Sequence, residues 1–239
     1  GEKRKTYILD RGAYDTYGEE VSENVPTLLD NGNSQYKKNR LGLAEWLVSK
    51  DNPLTSRVAV NRFWTAIFGK GLVNTIDDFG NQGSLPEYPE LLDWLAIDFA
   101  KSGWNVKRLV KSILMSSTYR QSAYGDTDTE EMDPSNRWYT RFPTHRLKAE
   151  QIRDRALAAS GLLVSQVGGE SVYPYQPKGL WKELATRNET VYKEGAGDDL
   201  YRRSMYTIWK RSSPPPSMMS FDASDRYICE VNRQNTSTP

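Results

Sequence analysis

Read only for its hydrophobic and polar positions, the chain is a run of amphipathic helices up to about residue 165. Beyond that point the pattern becomes less regular. The clearest signal lies between Ser56 and Gly83, where Val60, Phe63, Trp64, Ile67 and Phe68 fall at helical spacing and form one apolar face. Asn52 is placed to cap this helix, with Pro53 at its first position, where a missing N–H costs nothing. Gly69 supplies the left-handed residue that ends it. Three other segments repeat the period. Arg40–Lys50 aligns Leu43, Ala44, Leu47 and Val48; Pro89–Lys101 aligns Leu92, Leu95, Ala96 and Phe99. A helix capped by Asn105 aligns Val106, Leu109, Val110, Ile113 and Leu114. A fifth, from about Leu147 to Val164, places Ala149, Ile152, Ala156, Ser160 and Leu163 together.

Two stretches predict strands: residues 6–9 (TYIL), a short one, and residues 203–209 (RSMYTIW), which alternate. The remainder reads as connection. A Gly- and Glu-rich turn region leads to Pro26, and residues 30–39 form a polar loop. Residues 124–137 are acidic and turn-rich, a solvated loop; residues 168–181 are loop because Pro174 and Pro177 exclude a helix interior. Pro214–Pro216 form a stiff spacer, and Asp222 opens a short helix through Cys229. The fold expected is mainly α, a helical core of about five helices with a small irregular C-terminal layer containing one or two short strands. It reads as one domain over 1–239, a fragment of a longer protein, with an arm at 1–36, the core at 37–165 and the irregular layer at 166–239.

Composition narrows the partners. Lys+Arg 32 against Asp+Glu 31 leaves a net charge of +1, with no basic stripe for nucleic acid. No apolar run reaches the length of a membrane span. The hydrophobic fraction of 37% includes 7 Trp and 14 Tyr, so aromatic rings carry much of the burial. With one Cys and one His, an internal disulfide, a multi-histidine metal site and a c-type haem attachment are excluded within this chain. Asp126, Asp128, Glu130 and Asp133 resemble a calcium loop, but its glycine is missing and Arg137 stands where the bidentate Glu belongs. No cofactor is expected in this chain.

Candidate chemistry concentrates in three places. Asp77, Asp78, Asn81 and Gln82 crowd a loop bounded by Gly80 and Gly83, which either holds a ligand or satisfies its own backbone through Asx turns. The fifth helix opens with Arg146, Glu150, Arg153 and Asp154 at ion-pair spacing. That face is a solvated ion-pair surface, or, if the C-terminal segment covers it, a buried network or polar site. In the C-terminal third, Tyr175, Tyr201, Tyr206 and Trp209 alternate with Arg202, Arg203, Lys210 and Arg211, a pattern for glycans or for internal cation–π contacts. Trp64 is expected at the centre of the core. Of the successive residues Arg202 and Arg203, one is expected to pair with a carboxylate of the fifth helix and the other to face solvent or ligand. If the polar loop and the fifth helix meet, they form either a clamp or a shared cleft.

Ten runs carry a family likeness: NRLGLAEWLV (39–48), NPLTSRVAVNRFW (52–64), FGKGLV (68–73), DFGNQG (78–83), PELLDWLA (89–96), STYRQS (117–122), RLKAEQIRD (146–154), YQPKGLW (175–181), DLYRRSMYTIWKRSSPPPSM (199–218) and FDASDRYIC (221–229). In order and over nearly the whole chain, they resemble the planctomycete-type domain of unknown function numbered fifteen fifty-three, the C-terminal domain of exported cytochrome-c-associated planctomycete proteins. The family usually reads Thr-Asn-Thr-Pro where this chain has Thr236, Ser237, Thr238 and Pro239, and it then continues into a further helical segment. The resemblance implies an extracytoplasmic parent, periplasmic or in the cell envelope, other domains of that parent as partners, and haem c elsewhere on it; it supplies no reaction. Polar residues in the matching runs that exceed helix needs are Asn61, Arg62, Asp78, Asn81, Gln82, Arg146, Glu150, Arg153, Asp154, Arg202, Arg203, Lys210 and Arg211. Three functions follow as expectations. The first is a binding or scaffolding module, with polysaccharide as a candidate partner. The second is a carbohydrate-active hydrolase or lyase using Asp78, Glu150 or Asp154. The third is the substrate-binding part of a cytochrome-linked oxidoreductase.

Overall fold

The computed structural model describes residues 4–30, 36–183 and 191–224. The fold is mainly α, as expected, and the chain gathers into two compact units, Gly1–Phe142 and Pro143–Pro239.

The first unit begins with an antiparallel hairpin, β1 (Thr6–Leu9) and β2 (Tyr17–Val21), in the register Thr6↔Val21 and Leu9↔Tyr17. The second strand replaces part of the turn region expected there. Tyr7 and Tyr17 pack ring to ring at 4.9 Å across the pair, the kind of cross-strand contact that stabilises a hairpin. Then come α1 (Arg40–Leu47), α2 (Thr55–Phe68), α3 (Pro89–Lys101) and α4 (Val106–Leu114). The α3 bounds are those the periodicity predicts. Helix α2 starts later than expected: Asn52 Oδ1 accepts from Leu54 N and Thr55 N, so the proline lies in the capping turn and not in the helix.

Helices α2, α3 and α4 enclose the core of Val60, Trp64, Phe68, Leu72, Val73, Leu92, Leu95, Ala96, Phe99, Leu109 and Ile113. Burying each large side chain contributes about 1.5–3 kcal/mol. Trp64 is buried as expected, and its Nε1 donates to the Tyr139 hydroxyl at 2.8 Å. Helix α1 departs from the pattern. Its Leu43, Leu47 and Val48 are exposed, and it buries Trp46 and Gly42 instead. The backbone explains this orientation, because a Cβ on Gly42 would lie 1.9 Å from the Lys37 carbonyl oxygen. Only a glycine face permits that approach.

The acidic stretch after α5 (Ser117–Arg120) is not a simple solvated loop. Asp126 caps α6 (Thr127–Met132) by accepting from Thr129 N at 2.8 Å. Asp133 is buried, and its two carboxylate oxygens accept from Arg137 N and Trp138 N, which turns the chain back toward Tyr139 and Phe142. These acidic residues therefore build a turn and cap a helix.

The second unit is organised by α7 (Ala149–Ala159), shorter than expected, followed by α8 (Leu180–Glu183) and α9 (Pro216–Met219). Ala149 packs with Met218, Ala223, Trp209 and Phe221, while Ala156 and Ser160 of the expected apolar face are exposed. The strand expected at 203–209 is absent. A 3-10 turn, Ser204–Tyr206, lies there between isolated parallel bridges Val164↔Arg202 and Val172↔Thr207. Val172 accepts from Ile208 N and donates to Tyr206 O, but Pro174 follows and cannot extend a ladder. Pro216 opens α9 as its first residue, so the proline spacer ends in a helical turn. Cys229 and most of the helix expected around it lie outside the described residues.

Candidate functional site

The loop candidates belong to the first unit. Asn61 is fully buried at the second turn of α2, where its Nδ2 donates to Val73 O at 3.0 Å and its Oδ1 accepts from Val73 N at 2.9 Å. Its amide thus replaces a strand partner for the segment that follows the helix. Arg62, next to it, is exposed. In the loop, Asp78 Oδ1 accepts from Gly80 N at 2.7 Å, an Asx turn, and Thr75 Oγ1 donates to Asp78 O at 2.7 Å. Ser84 N returns to Thr75 Oγ1 at 2.9 Å. The loop closes on itself, leaving Asn81 and Gln82 exposed.

The fifth-helix candidates belong to the second unit, and the C-terminal segment covers part of them. From α7, the Arg153 guanidinium donates to Leu200 O at 2.8 Å, Arg202 O at 3.0 Å and Ser204 Oγ at 3.2 Å. Asp154 Oδ1 accepts from Ser204 N at 2.7 Å and its Oδ2 from Arg203 Nε at 3.2 Å. Burial pulls the Arg153 pKa down while the adjacent Asp154 charge opposes the shift. Together these bonds hold residues 200–204 against one face of the helix. Arg203 is the member of its pair that meets a carboxylate. Arg202 does not face solvent: it is 4% exposed, donates to Gln166 O, Gly168 O and Glu170 O, and stacks over Tyr206 at 4.0 Å. Arg146 is exposed and Glu150 half-buried, both with partners of their own. Arg211 is exposed and also partnered.

Beyond this clamp the same unit carries a pocket of about 350 Å³. Trp181 meets Tyr192 edge to face at 5.1 Å, with Tyr173 behind both at 6.4 and 5.5 Å. Lys210, one of the candidate cations, sits 4.7 Å from the centre of the Trp181 ring. The Tyr192 hydroxyl donates to the Pro174 carbonyl, and burial, reinforced by Glu194, pushes its pKa up to about 12. Gln176 lines the pocket at 7% exposure, and its Nε2 has no hydrogen-bond partner. Sequence reading passed over Gln176, since a glutamine between two prolines looks like ordinary loop. The usable signal was that a residue before proline is biased to an extended backbone.

Among the described residues, no group of three or more His, Cys, Asp or Glu is placed to hold a metal ion, and no helix is long and apolar enough to cross a membrane. His145 is exposed beside α7.

Fold and site together define a mainly α protein whose second unit combines an arginine–aspartate clamp with an aromatic pocket. The chain belongs to the PSD1 family of proteins of unknown function (DUF1553), whose family model matches residues 39–239. No match was found among curated proteins or solved structures.

Proposed function

We propose that the chain is a non-catalytic binding module of an exported multidomain protein, acting on polysaccharide and on the other domains of its parent. One observation carries this reading: both oxygens of Asp154 and three donor contacts of Arg153 are occupied by residues 200–204. An acid catalyst needs a carboxyl group that can reach substrate and exchange a proton. Asp154 is instead fixed in a structural pair, and Asp78 closes its own turn.

The test combines binding with turnover. The full chain is titrated by calorimetry with a panel of neutral and acidic polysaccharides, and the same mixtures are assayed for new reducing ends and for unsaturated products. Saturable binding without product is expected. Release of either product would overturn the reading in favour of a hydrolase or lyase, and no binding to any member would remove polysaccharide as the ligand.

A further inference from the structure

The pocket beside the clamp has features that the fold does not explain. A buried amide N–H without a partner is costly, and native interiors hold few of them. Gln176 is such a group, and it lines a cavity. The surroundings are already in place for an occupant. Tyr192 is pinned through its hydroxyl to the Pro174 carbonyl, and Lys210 lies over one face of the Trp181 ring. The volume of about 350 Å³ is at the small end of ligand sites and suits one sugar residue better than a chain of them.

The charges narrow the class. Lys178 and Lys182 lie on the lining with Glu194, so cations outnumber anions at the rim. An N–H donor and two ammonium groups together favour an oxygen anion.

We infer that this pocket binds one acidic sugar residue of a polysaccharide, a uronate whose carboxylate accepts from Gln176 Nε2 while Lys178 and Lys182 compensate its charge. This rests on the polysaccharide-binding reading above and names the ligand and the donor. Glu194 accepts from a sugar hydroxyl at the same rim.

The experiment titrates the full chain with short oligomers of galacturonate, of N-acetylglucosamine and of glucose, following tryptophan fluorescence and calorimetry. The galacturonate oligomer is expected to bind best, with an affinity that falls as salt rises. Gln176→Met keeps the shape but removes the donor, and Gln176→Glu replaces the donor with an acceptor. Each should weaken galacturonate binding at least tenfold. Gln176→Met should also leave Tm unchanged or raise it, because it removes an unpaired buried amide. Lys178→Gln with Lys182→Gln should flatten the salt dependence. Equal affinity for glucose and galacturonate oligomers would overturn the acidic-sugar assignment. Unchanged binding in both Gln176 variants would overturn the pocket while leaving the binding module intact. A drop in Tm for Gln176→Met would show that the amide is structural and overturn its role as ligand donor. If the whole polysaccharide panel fails to bind, this inference falls together with polysaccharide as the ligand of the module.

Discussion

Asn61 and Gly71 depend on one another. A Cβ at Gly71 would stand 2.4 Å from Val73 O and 2.9 Å from both amide atoms of Asn61, so the glycine leaves the space that the amide fills. Asn61→Ala would strand the Val73 N–H and C=O in the core and should cost about 2–4 kcal/mol, since each unsatisfied buried group costs about 1–3. Chemical denaturation should give that loss; a change below about 1 kcal/mol would mean that water replaces the amide. Trp64→Ala should cost about 3–5 kcal/mol, through its packing and through the orphaned Tyr139 hydroxyl. Hydrogen exchange should place the Trp64→Ala effect within the first unit.

At the scale of elements, the clamp on α7 makes a different prediction. Arg153→Met removes three donor contacts and leaves the carbonyls of Leu200 and Arg202 without their partner. Loss of about 2–4 kcal/mol is expected in the second unit. Asp154→Asn should cost less, because the amide oxygen still accepts from Ser204 N and only the charge-assisted bond from Arg203 Nε is lost. That pair is half exposed on its arginine side, so its attraction is screened. Faster amide exchange at Ser204 in Asp154→Ala than in Asp154→Asn would confirm that the amide oxygen still accepts from Ser204 N, and equal rates would refute it.

For the whole molecule, pH reads both units. The hydrogen bond from Arg57 holds Asp93 below its usual carboxylate range, with burial opposing it, and the Thr129 hydroxyl does the same for Asp126. Depressed carboxylates contribute stability above their unfolded pKa of about 3.9, and that contribution is lost as pH falls through the lower folded values. Burial raises Tyr139, and raises Tyr192 to about 12. Their stabilisation is complete below the unfolded tyrosine value of about 10 and is lost as pH rises toward about 12. A Tm profile should therefore be flat from about pH 5 to 9 and fall on both sides. Tyr192→Phe should reduce the alkaline fall and the latest step in tyrosinate absorbance; an unchanged absorbance titration would contradict the burial of that ring.

The helices were legible because their information is local. The bounds of α3, the Asn105 cap of α4 and the buried stripe of α2 all follow from a period of 3.6 and from residues that satisfy free N–H groups. The charged candidates were also found from spacing, and Arg153, Asp154 and Arg203 do come together. What they do there was decided by partners about fifty residues away. Arg153 is a clamp because the carbonyls of 200–202 arrive at it, and Arg202 is buried because the 166–170 segment offers it carbonyls. The side that α1 buries, the failure of 203–209 to extend as a strand and the pocket around Gln176 have the same origin. Each depends on which backbone approaches which side chain, and helical spacing holds no record of that. Local sequence determined the elements, and long-range packing decided which polar groups were left for a ligand.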